Sequence, residues 1–177
     1  MFLSFYLVGG FVQYKAVVKT LGALPDPIVG KNKEVELVSA NIKADSSVEF
    51  QLKIPVSAFR SGNRQRDVDV AKILGYPEHR FITFELIDIK RWEVNKFLTE
   101  KEGDIYANCK LTIKGNPKDY NFKIRFKWLD DETVKLTTEK TVKFTDFGID
   151  PPTLMGFVKR AEDRLDISGE IVLKVRK

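Results

Sequence analysis

The feature that most constrains this chain is the alternation of apolar and polar residues along most of its length. The most regular example runs from Leu165 to Val175, where apolar residues and one glycine occupy every second position. A period of two places successive side chains on opposite faces of an extended strand, so one face of each segment is apolar and the other is polar. The chain is therefore expected to fold mainly as amphipathic β-strands.

About eight segments show this pattern, and no long helical segment stands between them, which excludes a doubly wound α/β fold. Long antiparallel strands with one apolar face must bury that face, and closing the sheet into a barrel also removes its exposed edges. We expect an all-β fold, a single extended antiparallel eight-stranded barrel, with a β-sandwich as the alternative. The segments are 12–20, 33–42, 48–54, 81–90, 105–113, 120–128, 133–144 and 165–176.

Three local irregularities are also expected. The alternation shifts near Val38, which indicates a β-bulge, and again between Leu86 and Ile87, which indicates either a second bulge or a strand buried on both sides. The stretch "LGALPDPIVGK" (21–31) contains two prolines and two glycines. These residues favour turns, so this stretch is predicted to be a loop.

Two stretches do not look like strands, and both are predicted as short helices or loops in connections. Between Arg60 and Phe84 the chain reads "RSGNRQRDVDVAKILGYPEHRFITF", and its apolar residues from Val68 to Leu74 have nearly helical spacing. Gly75 and Pro77 are expected to end that helix. The second stretch is "DPPTLMGFVKRAED" (150–163).

Length and charge favour one soluble domain spanning residues 1–177. The chain has a net charge of +5, but its basic residues are interleaved with acidic ones, which favours a mixed solvated surface. Phe122 and Phe126 alternate with Lys123 and Arg125. Rings and cations then lie on opposite strand faces, whereas stacking on nucleic acid needs both on one exposed face. We therefore expect no nucleic-acid partner.

The residue types that catalysis and metal binding require are scarce. His79 is the only histidine and Cys109 is the only cysteine, so a zinc site with several such ligands is not expected. Cys109 follows Ala107 and precedes Leu111 on an apolar face, which favours a buried structural thiol. Neither a Ser-His-Asp arrangement nor a phosphate-binding glycine loop is evident. We expect no catalytic residue, no metal and no cofactor.

The N-terminal stretch "MFLSFYLVGGFVQY" is apolar but shorter than a bilayer span. We favour a strand or a segment tucked against the fold, with an export segment as the alternative. The single cysteine leaves the compartment open, because proteins without disulfides occur on both sides of a membrane.

Four motifs, in their order and spacing, resemble the YceI-like family of polyisoprenoid-binding, lipocalin-like β-barrel domains. They are "SGNRQRD" (Ser61–Asp67), "YPEHRFITF" (Tyr76–Phe84), "LTIKG" (Leu111–Gly115) and "FTDFGI" (Phe144–Ile149). The resemblance extends over roughly residues 12–175.

The resemblance implies a lipocalin-like barrel whose apolar lumen holds a long isoprenoid, such as a polyprenyl chain or a quinone tail. It also implies binding without catalysis, as a carrier, store or sensor, and a periplasmic or secreted location. It suggests that the Arg60–Phe84 stretch caps one end of the barrel, where we expect an Arg64–Asp67 or Arg66–Asp69 ion pair. Transient membrane contact and a homodimer through the apolar N-terminus stay open.

The lumen is expected to combine bulky side chains that fill space with small ones that leave it. The residues predicted to contact the ligand are Tyr14, Ala16, Phe50, Leu52, Phe84, Ala107, Cys109, Leu111, Phe122, Ile124, Phe126, Phe147, Ile167 and Ile171.

Two other functions are kept as alternatives. One is an enzyme acting on a lipid-like substrate, with Tyr14, Tyr120 or His79 as acid or base. The other is a basic protein that binds nucleic acid or an anionic membrane surface, which would release its partner as ionic strength rises.

Overall fold

A computed structural model describes residues 2–20, 22–154 and 159–177 of the chain. Two short 3₁₀ turns, Val56–Ala58 and Phe144–Phe147, accompany the regular elements. The strands and helices are β1 (Leu3–Thr20), β2 (Asp26–Asn32), β3 (Glu36–Ile42), β4 (Val48–Pro55), α1 (Arg64–Ile73), β5 (Phe81–Ile89), α2 (Arg91–Thr99), β6 (Glu102–Ile113), β7 (Asn116–Trp128), β8 (Thr133–Val142), β9 (Thr153–Leu154) and β10 (Lys159–Val175).

Eight strands close into an antiparallel barrel in the order β1-β3-β4-β5-β6-β7-β8-β10, and β10 pairs again with β1. The closing pair is long, with Phe5 opposite Val175 at one end and Thr20 opposite Lys159 at the other. Closure pairs β1 with β10, so neither strand is left as an exposed edge of the barrel. The predicted eight-stranded barrel is confirmed.

β1 begins at the apolar N-terminus, and its two ends have different neighbours. Leu3 and Ser4 pair with β3, whereas the segment from Val12 to Val18 pairs with β2. The loop predicted for residues 21–31 is therefore wrong over most of its length. β2 stands at the edge of the sheet, where Pro27 is tolerated because the missing N–H has no ladder partner to lose.

Both predicted bulges are present. The β3–β4 register shifts between Leu37 and Ser39, and the β5–β6 register shifts between Leu86 and Asp88. Val38 and Ile87, the extra residues at these shifts, are about half exposed on the outer surface. Each bulge thus returns the apolar residues that follow it to the inner face.

Helix α1 forms where helical spacing predicted it and ends at Ile73, and Gly75, two residues further on, has a φ of 102° that suits glycine. The two ion pairs expected here are wrong. Asp67 instead accepts hydrogen bonds from Ser61 N and Ser61 Oγ, at 2.9 and 2.5 Å. Arg66 donates from Nε to Ser61 Oγ and from Nη2 to Ser61 O, at 2.8 and 2.7 Å.

Helix α2 was not predicted. Its first residue follows Lys90, which offers no side-chain cap, and its apolar residues Val94 and Phe97 face the barrel. The second non-strand prediction, residues 150–163, is wrong where β9 and the start of β10 form, and its residues 155–158 lie outside the described residues. Neither α-helix of the described chain has the length and apolar character to cross a bilayer.

Candidate functional site

The interior of the barrel contains three apolar cavities among the described residues. We name them by position as the α2-end cavity, of about 90 Å³, and the central and α1-end cavities, of about 100 Å³ each. Each is smaller than the engineered cavity of about 150 Å³ that accepts benzene in another protein. A long ligand would therefore have to occupy more than one of them.

The α2-end cavity is closed by helix α2. Val94 and Phe97 of this helix line it together with Phe5 of β1 and Cys109 of β6. Phe97 contacts Phe5 edge-on, with ring centroids 6.5 Å apart, and its backbone oxygen accepts a hydrogen bond from Trp128 Nε1 at 2.9 Å. These contacts hold the helix against the barrel end.

The α1-end cavity lies at the opposite end, beneath helix α1. Val70 and Ile73 of α1 line it, together with Tyr14 and Ala16 of β1. Arg66 is the one charged residue among the described residues of its wall. Apart from Arg66, the polar residues of this wall are Gln13 and Tyr14, both on β1, and the rest of the wall is apolar.

The central cavity shares a wall with each of the other two, so the three cavities form a row along the barrel. Phe50 and Phe84, whose ring centroids are 6.2 Å apart, separate it from the α2-end cavity. Leu111 and Ile167 separate it from the α1-end cavity. Phe50, Phe84 and Ile167 are only partly buried although they line the interior, which indicates unfilled space around them.

The structure places most of the predicted lumen residues at cavity walls. Other residues at these walls were missed by sequence reasoning. Val94 and Phe97 lie on helix α2, which was not predicted. Leu136 lies on β8, a more polar strand whose residues were not predicted to contact the ligand. The predicted residues that line at least one cavity are Tyr14, Ala16, Phe50, Leu52, Phe84, Ala107, Cys109, Leu111, Phe122, Ile124, Ile167 and Ile171.

Phe126 and Phe147 lie outside the walls of the three cavities. Phe126 is fully buried, with its ring centroid 5.3 Å from that of Phe97. Phe147 is also buried and packs beside Tyr120 at 6.4 Å. Their contacts are with other side chains of the core, which favours a structural role over ligand contact.

The Cys109 thiol is fully buried, and burial raises its pKa to about 12. At about pH 8 the thiol therefore stays protonated, and the protonated form is a poor nucleophile. We expect iodoacetamide to leave the native protein unmodified over hours and to alkylate Cys109 within minutes in guanidinium chloride, as followed by the intact mass. Rapid alkylation of the native protein would show that this wall of the cavity is open to solvent.

Glu93, in the first turn of α2, is 1% exposed, and neither carboxylate oxygen has a hydrogen-bond partner among the described residues. A buried polar group without a partner costs about 1–3 kcal/mol. We expect Glu93→Met to raise the free energy of unfolding by about 1–3 kcal/mol in urea denaturation. The exposed Glu100→Met serves as the control and should change it by less than about 0.5 kcal/mol. A destabilised Glu93→Met would reveal a partner for the carboxylate.

The charged groups of β6 and β7 pair on the outer surface. Asp104 accepts from Arg125 Nε at 3.1 Å and lies 3.0 Å from Lys123 Nζ. Hydrogen bonds from Arg125 and then Lys123 lower the pKa of Asp104. Phe122 and Phe126 are buried on the opposite face, so rings and cations are separated as their alternation predicted.

The residues considered for chemistry are dispersed. His79 lies in an exposed loop, whereas Tyr120 donates a hydrogen bond from Oη to Asp146 at 2.7 Å. Within the described ranges, no group of three or more histidine, cysteine, aspartate or glutamate side chains could hold a metal ion.

Comparison with known proteins agrees with the barrel fold described above. The family model described as the YceI-like domain matches residues 12–174. Comparison with curated proteins finds no match.

Several solved structures have the same fold. A polyisoprenoid binding domain from Saccharophagus degradans, described as implicated in plant cell wall breakdown, is 11% identical, with a TM-score of 0.73 over 98% of this chain and 99% of that one. BcnA from Burkholderia cenocepacia is 17% identical, with a TM-score of 0.65 over 91% and 95%. A YCEI protein from Campylobacter jejuni is 16% identical, with a TM-score of 0.61 over 84% of each chain.

Proposed function

Because the chain belongs to the YceI-like domain family, we propose that its barrel binds a long isoprenoid or similar amphiphilic lipid in the lumen. It does so without catalysis, as a carrier, store or sensor. The observation that carries the proposal is the row of three apolar cavities along one barrel. The printed description of the Saccharophagus degradans structure as a polyisoprenoid binding domain supports the same ligand class.

The shape of the lumen favours a slender chain. Adjacent cavities are separated only by side chains, among them the Phe50 and Phe84 rings and the Leu111 and Ile167 side chains. Phe50, Phe84 and Ile167 are partly surrounded by space, so rotamer changes of these three side chains can join the cavities without moving the hydrogen-bonded strands. A compact polycyclic ligand would instead require the strands to part.

Binding of such a lipid can be favourable without an ionic contact. Burying about 20 ligand carbons gains roughly 16 kcal/mol at about 0.8 kcal/mol per carbon. Lost translational and rotational freedom and ordering of the chain cost about 4–15 kcal/mol. The cost of rearranging the lumen side chains also subtracts from the gain. The remainder can still give useful affinity from apolar contact alone, and this affinity should change little with salt.

Mass spectrometry of an organic extract from the purified protein tests the proposal. We expect a lipid with a long isoprenoid chain, in a ratio near one molecule per protein. The extracted protein should then bind added geranylgeraniol with an affinity that is insensitive to ionic strength. Absence of a lipid, together with failure to bind this probe, would contradict the proposal. Binding of nucleic acid or anionic vesicles that weakens steeply with salt would instead favour the basic-surface alternative.

A further inference from the structure

The wall of the barrel has a gap in its hydrogen-bond ladder between β1 and β3. Among the described residues, these two strands pair only at Leu3 and Ser4 of β1, and β1 pairs with β2 only from Val12 onward. Residues 5–11 of β1 therefore face residues 36–40 of β3 without a ladder partner on that side. We call this stretch of the wall the β1–β3 gap.

Both strands that flank the β1–β3 gap carry a bulge beside it. The β1–β10 register shifts between Leu7 and Gly9, and the β3–β4 register shifts between Leu37 and Ser39. A bulge bends its strand and disrupts regular pairing. The gap therefore follows from the shapes of both strands.

The outer rim of the β1–β3 gap is apolar. Val8 and Val38, the extra residues of the two bulges, are 58% and 50% exposed, and Tyr6, two residues before Val8, is exposed as well. Isolated apolar side chains on a surface are ordinary, whereas an apolar cluster marks a contact site for a protein or a membrane. A stable protein–protein interface uses about 20–30 residues a side. Three side chains are better suited to shallow insertion into a bilayer surface.

The inner side of the β1–β3 gap adjoins the α2-end cavity. Phe5 and Ala40 would form the next pair if the ladder continued beyond Ser4, and both line that cavity. Leu7 and Leu37, further along the gap, pack against the core but are only partly buried. The gap therefore lies between an apolar outer rim and the apolar lumen.

A second interruption of the ladder, between β7 and β8, is closed by side chains. Pairing of these strands ends at Ile124 and Thr138. Thr138 Oγ1 donates a hydrogen bond to Lys123 O at 2.8 Å, and Lys140 Nζ donates to Asn121 O at 2.9 Å. In the part of the chain that the structure describes, no such hydrogen bond crosses the β1–β3 gap. The β1–β3 gap is thus the easier of the two to open.

Building on the proposed function, we propose that the β1–β3 gap is the portal through which the lipid enters and leaves the lumen, and that its apolar rim contacts a lipid bilayer during exchange. A long isoprenoid resides in bilayers because exposing its chain to water is unfavourable. With the rim at the bilayer surface, the chain passes sideways between β1 and β3 into the α2-end cavity. It does not have to cross water, and helices α1 and α2 do not have to move.

Transfer of geranylgeraniol from the loaded protein to phosphatidylcholine vesicles tests the portal. Mass spectrometry measures the lipid that stays with the protein at increasing times after the vesicles are added. We expect the double variant Val8→Asp/Val38→Asp to slow transfer about tenfold or more, because charges replace the side chains that enter the bilayer. Its affinity for geranylgeraniol without vesicles should change by less than about twofold, since neither valine lines a cavity.

Ile87→Asp is the matched control for this experiment. Ile87 is the extra residue of the β5 bulge and is 47% exposed, but β5 pairs with β6 on both sides of it. This variant should transfer the lipid at nearly the wild-type rate. Unchanged transfer by the double variant, or equal slowing by Ile87→Asp, would overturn the inference. Circular dichroism verifies that the variants are folded.

A dye on the rim tests contact with the bilayer separately. Val38→Cys and Ile87→Cys can each be labelled with an environment-sensitive maleimide dye, because Cys109 is fully buried. We expect phosphatidylcholine vesicles to shift the dye emission to the blue at Val38→Cys and to leave it unchanged at Ile87→Cys. No shift at Val38→Cys, or the same shift at both positions, would overturn the inference. If wild type does not bind geranylgeraniol, the proposed function itself fails, whereas binding without contact at the rim contradicts only the portal.

Discussion

Gly169→Phe is expected to lower the affinity for an isoprenoid lipid by about a hundredfold or more, with the barrel still folded. Gly169 occupies an inward position of β10 and lines the central cavity of about 100 Å³. A Cβ atom there would lie 3.7 Å from Phe11 O and from Val12 Cγ2, which is ordinary contact. The added ring would occupy the part of the lumen through which the chain of the ligand must pass.

Two variants provide controls for this prediction. Gly169→Ala adds only a methyl group and should keep most of the affinity. Glu170→Phe places the same ring on the neighbouring outward position, away from the three cavities, and should keep all of it. Titration with geranylgeraniol, with circular dichroism to verify folding, measures the effect. Full affinity in a folded Gly169→Phe protein would mean that the lipid binds outside the central cavity.

Phe126→Ala is expected to lower the free energy of unfolding by about 3–5 kcal/mol, the range for removing a large buried side chain. Phe126 is 0% exposed, packs against Phe97 and lies outside the three cavity walls. Its removal leaves a void where none existed. Lipid affinity should change by less than about threefold under conditions in which the variant stays folded.

Phe84→Ala is the comparison for this prediction. Phe84 already borders both the α2-end and the central cavity, so its removal joins two spaces rather than creating a new one. We expect a smaller loss of stability than for Phe126→Ala and unchanged or tighter binding of long chains. Urea denaturation and lipid titration of both variants measure these effects. If Phe126→Ala abolishes binding while folded, Phe126 contacts the ligand and the limits drawn here for the lumen are wrong.

The barrel could be predicted because its strands must bury one face, and this requirement appears in the sequence as alternating apolar and polar residues. The bulge at Val38 was visible for the same reason, since an extra residue inverts the alternation. Strand β2 was missed because its proline and glycine residues favour turns in isolation. At the sheet edge Pro27 loses no hydrogen bond, and Gly30 makes room for the Tyr14 ring.

Helix α2 was missed because its local signals are weak. It follows β5 directly, begins without a side-chain cap and contains no glycine or proline to separate it from the strand. Its helical form is stabilised by packing Val94 and Phe97 over the end of the barrel, a tertiary effect that residue order does not reveal.

The division of the interior into packed and open regions was beyond sequence reasoning as well. Alternation puts Phe126 and Phe84 in equivalent inward positions, yet one is fully packed and the other borders open space. The difference depends on the shapes of neighbours from other strands. In the same way, the sequence placed Tyr14 in the lumen, but only the structure shows that its hydroxyl has no partner among the described residues.

Locating a lipid within the barrel tests the central claim most directly. Crystals grown with a prenyl alcohol that carries bromine at its far end would place that atom by anomalous scattering. We predict a single bromine site inside the barrel, with the chain running past Gly169 in the central cavity. Bromine found only on the outer surface would contradict a lipid-binding lumen. So would an interior that contains no ligand at a saturating concentration of the probe.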